Sequence, residues 1–122
     1  EYAKSRGRTS NPLVQLRTGE MRMQLDAAAA LFDRAVRSWK NGKVVDAELI
    51  SMSAKSTAAH AALNVARGVL FAAGASAQFQ EHPFGYFVRN IEMHCVHAGH
   101  DRTAQIIGQA ALGEQFDSTL QR

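Results

Sequence analysis

Three of the five histidines in this chain, His94, His97 and His100, crowd into the stretch Arg89-Asn90-Ile91-Glu92-Met93-His94-Cys95-Val96-His97-Ala98-Gly99-His100-Asp101. Residues three apart on a helix are neighbours, so His94 and His97 share a face, and a helix break at Gly99 would send His100 elsewhere. Imidazole titrates near neutrality, which suits general acid or base work, and a helix break in front of a cleft exposes the ring while the backbone fixes its orientation. The plainer alternative is that these rings cap helix ends or line a subunit contact. Metal ligation fits less well. Imidazole binds zinc, copper, iron and nickel, but the helical zinc motif sets its histidines four apart around a glutamate. Here the step is three, Cys95 and Val96 lie between, and no carboxylate offers itself as third ligand. No metal is assigned. Cys95, inside the helical pattern with only histidines as basic neighbours, reads as a buried, inert thiol. Neither a Gly-x-Ser-x-Gly elbow nor a glycine-rich phosphate loop occurs. His60, mid-helix between alanines, reads as a satisfied core or interface histidine, and His82 before Pro83 as a helix cap; neither is assigned a function.

The elements that must position this stretch follow from apolar spacing. From about 13 to 40, Leu13, Leu16, Met23, Ala27 and Leu31 form one helical stripe with Met21, Leu25, Ala28, Phe32 and Val36 beside it. So wide an arc predicts a helix contacted on more than one side. Asn41 and Gly42 tolerate the left-handed conformation that closes a helix, so a tight turn is expected at 41–43. A second long helix is predicted over 44–73, antiparallel to the first, with Ala54, Ala58, Ala59, Ala61, Ala62 and Ala66 admitting a close neighbour and Gly74 as its end. Pro83 suits the first turn of a third helix, 83–98. Gly99 interrupts it, and His100 or Asp101 is expected to cap a fourth, 101–112, closed by Gly113. The expectation is an all-α, up-and-down four-helix bundle, since short loops make consecutive helices antiparallel.

A length of 122 residues suits one domain, 1–122, and 46% hydrophobic with 20% charged residues is ordinary globular composition. The sequence opens at Glu1 without an initiator methionine or signal pattern, so it is expected to be a piece of a larger protein. Its longest apolar runs, 27–32 and 69–75, fall well short of the roughly 18 residues that a membrane span needs. The single cysteine excludes an internal disulfide and suits a reducing, cytoplasmic setting. The formal net charge is +3. Basic residues are nonetheless dispersed among acids outside Lys4 to Arg8, with no stripe or reading motif, which argues against nucleic acid as a partner.

Tyr2-Ala3-x-x-Arg6 followed by Pro12-Leu13-x-Gln15 resembles the opening of the carboxy-terminal helical domain in the acyl-CoA dehydrogenase superfamily. In that family the arginine reaches the flavin phosphates of a neighbouring subunit, a role the resemblance carries over to Arg6; Thr9-Ser10 stands where the family has Phe-Gly. His82-Pro83-Phe84 with Arg89-Asn90 is similar to the family's proline, aromatic, Arg-Asp segment, which implies Arg89 as a second cofactor-binding residue. Short- and medium-chain dehydrogenases carry their catalytic glutamate about nine residues after that arginine, where this chain has Ala98. The segment His97-x-x-His100-Asp101 is similar instead to the His-x-x-His-Asp of two-component flavin monooxygenases of the same fold, such as dibenzothiophene and 4-hydroxyphenylacetate monooxygenases. There, the second histidine lies beside the flavin ring. Counting from Arg89 selects His94 and His97, so the register is open by three residues and His97 is common to both. The resemblance implies a reduced-flavin-dependent monooxygenase using FMN or FAD, with His97 and His100 as catalytic candidates. It also implies assembly as a homodimer or homotetramer, and supply by a separate flavin reductase. Two alternatives remain: an acyl-CoA dehydrogenase whose glutamate lies outside these residues, and a bundle that serves assembly only.

Overall fold

A computed structural model describes residues 2–74, 83–97 and 99–118, and of Tyr2 and His97 the backbone alone. The described residues form helices α1 (Tyr2–Ser5), α2 (Pro12–Asn41), α3 (Val44–Ala73), α4 (Phe84–His97) and α5 (His100–Leu112), with no strand among them. The expected helices are all present, with ends that agree to within a residue or two. Beyond them there is only the single turn α1. His82 and Ala98, named above as a cap and as the occupant of the glutamate position, lie outside the described residues.

Helix α2 begins one residue earlier than its apolar pattern, because Asn11 Oδ1 accepts from the backbone amides of Leu13 and Val14 at 2.9 and 3.3 Å and Pro12 sits in the first turn. Such a cap satisfies amides that would otherwise have no intrahelical partner. Its other end differs from expectation. Asn41 stays helical, and Gly42 is extended, with φ −106° and ψ 177°, its amide bonded to Ser38 O at 2.8 Å. A Cβ at Gly42 would stand 2.7 Å from that same carbonyl oxygen. Close approach, not a left-handed backbone, is what calls for glycine here.

Helix α3 is the hub. The substantial helix contacts are α2 with α3, α3 with α4 and α3 with α5, joined by a small one from α1 to α3. In the α2–α3 hairpin Trp39 meets Ser51, Arg17 stacks on Phe71, and Gly68 is where Met21 comes so close that a Cβ would lie 2.9 Å from its sulfur. These pairings fix the antiparallel register. Helix α4 runs antiparallel to α3 as well, with Glu92 against Arg67 and Cys95 against Ala59. Helix α5 continues in the direction of α4, since His100 meets His60 and the following residues reach Met52, Lys55 and finally Glu48. Gly99, at φ 62° and ψ 36°, bends the chain between them without reversing it. The strict alternation of an up-and-down bundle thus ends there, and α4 and α5 together line one side of α3.

The seam of α2 differs from the stripe expected for it. Apart from Glu20, which pairs with Arg17, the residues withdrawn from solvent are Val14, Arg17, Met21, Gln24, Ala28, Leu31, Ala35 and Ser38, in alternating steps of three and four. That is the heptad spacing of a coiled-coil-like two-helix seam. Leu16, Met23 and Phe32 are instead 55%, 66% and 61% exposed, so much of the wide apolar arc has no cover within the chain. The seam was hidden because polar and small side chains, Gln24, Ser38, Ala28 and Ala35, occupy it.

Candidate functional site

His100 owes its place to Gly99, whose left-handed backbone starts α5 without a side-chain cap. His100 and Asp101 therefore do not cap α5; they are its first two residues. The His100 ring packs at 5.3 Å between centroids, tilted by 50°, against His60 of α3, and both of its nitrogens are buried with no hydrogen-bond partner. Burial lowers the pKa of His100, and the charges of His60, Lys55 and His94 lower it further, while Asp101 opposes them. The amino end of α5 adds a positive backbone field of the same sense. His100 is thus held neutral under conditions where a free imidazole begins to charge.

Of the two places expected for His60, core or interface, the chain's own core is not the one it takes. It is exposed on α3, and its Nδ1 lies 2.9 Å from Ser56 O. A carbonyl only accepts, so Nδ1 carries the hydrogen. Cys95 is half-buried on the α4 face turned to α3, its Sγ 3.5 Å from Ala59 O. His94 is exposed, and His97 closes α4 with its side chain outside the described residues. Among the described residues no group of three or more histidine, cysteine, aspartate or glutamate side chains could hold a metal.

Arg6 belongs to the turn that ends α1, where the Gly7 amide donates to Lys4 O at 3.0 Å and the Arg8 amide to Ala3 O at 2.9 Å. The turn is tied down by Arg8, whose Nη1 donates to Ala73 O, one of the last carbonyls of α3, at 3.0 Å. Sequence reading placed Arg8 in the basic cluster Lys4 to Arg8 and gave it no role. Ala73 lies thirteen residues from His60, about 20 Å along a helix. Arg6 and His100 are therefore anchored at different levels of α3. Arg89 is exposed on α4, its guanidinium reaching back toward Gly85.

Two adjoining clefts lie between α2, α3 and α4, sharing Val69 and Phe84. One, of about 420 Å³, is walled by Val14, Met21, Ala72 and Ala73; the other, of about 360 Å³, by Leu25, Ala62, Val65, Phe87 and Ile91. Both are largely apolar, and neither is lined by His60 or His100. A third, of about 380 Å³, lies against α5, with Glu48, Ser51, Lys55, Thr103 and Ser118 at its wall beside Trp39 and Met52.

Residues 1–102 match the family model described as acyl-CoA dehydrogenase, C-terminal domain. The chain belongs to this family. Its members are flavin-dependent oxidoreductases, and the all-α architecture agrees with that membership. The match extends through Arg6, Arg89, His97 and His100 and ends just inside α5. No curated protein matches the chain. Among the described residues no helix is long and apolar enough to cross a membrane.

Proposed function

We propose that the chain is the helical domain of a larger, cytoplasmic, reduced-flavin-dependent monooxygenase, with His97 and His100 beside the flavin ring and Arg6 and Arg89 directed to its phosphates. The observation that carries this reading is His100. At the bend after α4, two residues beyond Ala98, to which the resemblance gives the place of the carboxylate base of short- and medium-chain dehydrogenases, stands a neutral imidazole whose two nitrogens are buried and unpartnered. Such a ring can accept or donate a hydrogen bond to a neighbouring group and does not add a negative charge. Arg6 and Arg89 have the chemistry for phosphate, since a guanidinium offers a planar fork of donors. Reduced FMN or FAD, when bound, would supply the electrons that activate dioxygen.

The different levels of Arg6 and His100 on α3 support a division of labour in which Arg6 serves the flavin of a neighbouring copy. The uncovered apolar side chains of α2, Leu16, Met23 and Phe32 among them, support self-association as a homodimer or homotetramer. A separate flavin reductase would deliver the cofactor. The family match itself favours a second reading, an acyl-CoA dehydrogenase whose glutamate lies outside these residues.

The test uses the full-length protein with a flavin reductase and measures oxygen-dependent product formation. His97→Ala and His100→Ala are expected to lower turnover by about 100-fold or more, the usual scale for a lost acid or base. Undiminished activity in both would sink the assignment. Anaerobic reduction of bound FAD by acyl-CoA thioesters would establish the dehydrogenase reading in its place.

A further inference from the structure

We propose that the start of α5 is a pH-operated latch: the His100 ring packed on His60 holds α5 against α3, and adding a proton to His100 in mild acid releases it. Three observations carry this. First, α3 is the substantial partner of α5, so whatever loosens that one interface frees the helix. Second, the two imidazoles face each other at 5.3 Å, and the buried nitrogens of His100 have no acceptor among the described residues to stabilise an added proton. Third, the surrounding charge is mostly of one sign. Lys55 and His60 on α3, His94 on α4 and the positive end of α5 all oppose protonation of His100, and only Asp101, its own neighbour, favours it. Farther along, Glu48 of α3 is engaged by the Ser118 hydroxyl and lies at the other end of the interface.

The sign of the effect follows from linkage. The His100 pKa is lowered from the ordinary 6.5, so as pH falls through that value the released chain binds a proton that the latched chain does not. Docking of α5 is therefore complete above neutrality and weakens as pH drops toward the lowered pKa, by up to about tenfold in the docking equilibrium per pH unit and proton. Release would uncover Ile106 and Thr103, both fully buried on α5, and open the cleft that α5 closes beside Trp39. The latch does not depend on the flavin reading and is measured with no flavin present.

Trp39 is the only tryptophan, so its emission reports on that cleft. In the 122-residue chain the expected result is a reversible change in Trp39 emission between about pH 8 and pH 5, the range in which histidine titrates. Far-UV circular dichroism should stay largely helical, because α2 and α3 remain paired. In His100→Gln and His60→Gln the change should shrink or move to lower pH. An unchanged transition in both variants, or none in the wild type, overturns the proposal. Should either variant fail to fold, NMR titration of the wild-type imidazoles decides: His100 must titrate below a free histidine, and a midpoint at or above it overturns the latch.

Discussion

The α2–α3 hairpin and the α4–α5 arm share one central helix but are held to it by different means. In the hairpin, two thirty-residue helices meet along a seam of small and flexible side chains, with Met21 seated on Gly68 and Ala35, Ala47 and Ala54 buried. Such packing contains few titratable groups and changes little with pH. The arm is broken at Gly99, and its second half rests on Ile106 and Thr103 with His100 pressed against another histidine. Packing strength and ionisable chemistry are thus set in separate parts of the same small domain.

Breaking the arm should give the largest effect. Ile106 is 0% exposed, and α5 has α3 as its main support. Ile106→Ala leaves a cavity there and is expected to cost about 2–5 kcal/mol in urea unfolding. A cost below about 1 kcal/mol, within the range of a surface change, would mean that α5 does not dock as described.

The hairpin should break next, at its turn. Gly42→Ala sets a Cβ 2.7 Å from the Ser38 carbonyl oxygen, a backbone atom that moves only with the helix. Steric overlap of this kind costs about 1–3 kcal/mol. Because φ is −106°, no left-handed strain contributes, and a stabilised variant would show that the turn has room for a side chain.

How far the sequence foretold each part follows the same division. Both long helices were legible to within a residue or two, since periodicity, Gly42 and Gly74 mark their ends. What periodicity could not reveal is which side of α2 faces inward, because Gln24 and Ser38 sit in the seam and Leu16 and Met23 outside it. The break at Gly99 was legible, but not that α5 would run on along α3 in place of turning back. His60 and His100 lie forty residues apart in sequence, so their contact exists only once α5 lies along α3. The anchoring bond of Arg8 was missed for a similar reason: its partner is a backbone carbonyl sixty-five residues away.

The smallest effect tests whether charge also fastens the first half of the arm. Arg67 Nη2 donates to Glu92 Oε1 at 2.8 Å, joining α3 to α4, but the two side chains are 53% and 43% exposed. Water and salt screen such a pair, and ordering two long side chains offsets much of the attraction. A double-mutant cycle with Arg67→Ala and Glu92→Ala is expected to give a coupling of about 0–1 kcal/mol that fades as salt is raised. A coupling well above that range, persisting in high salt, would mean that α4 is fastened by charge as its continuation is proposed to be released by it. The contrast between hairpin and arm would then begin at Phe84 and not at Gly99.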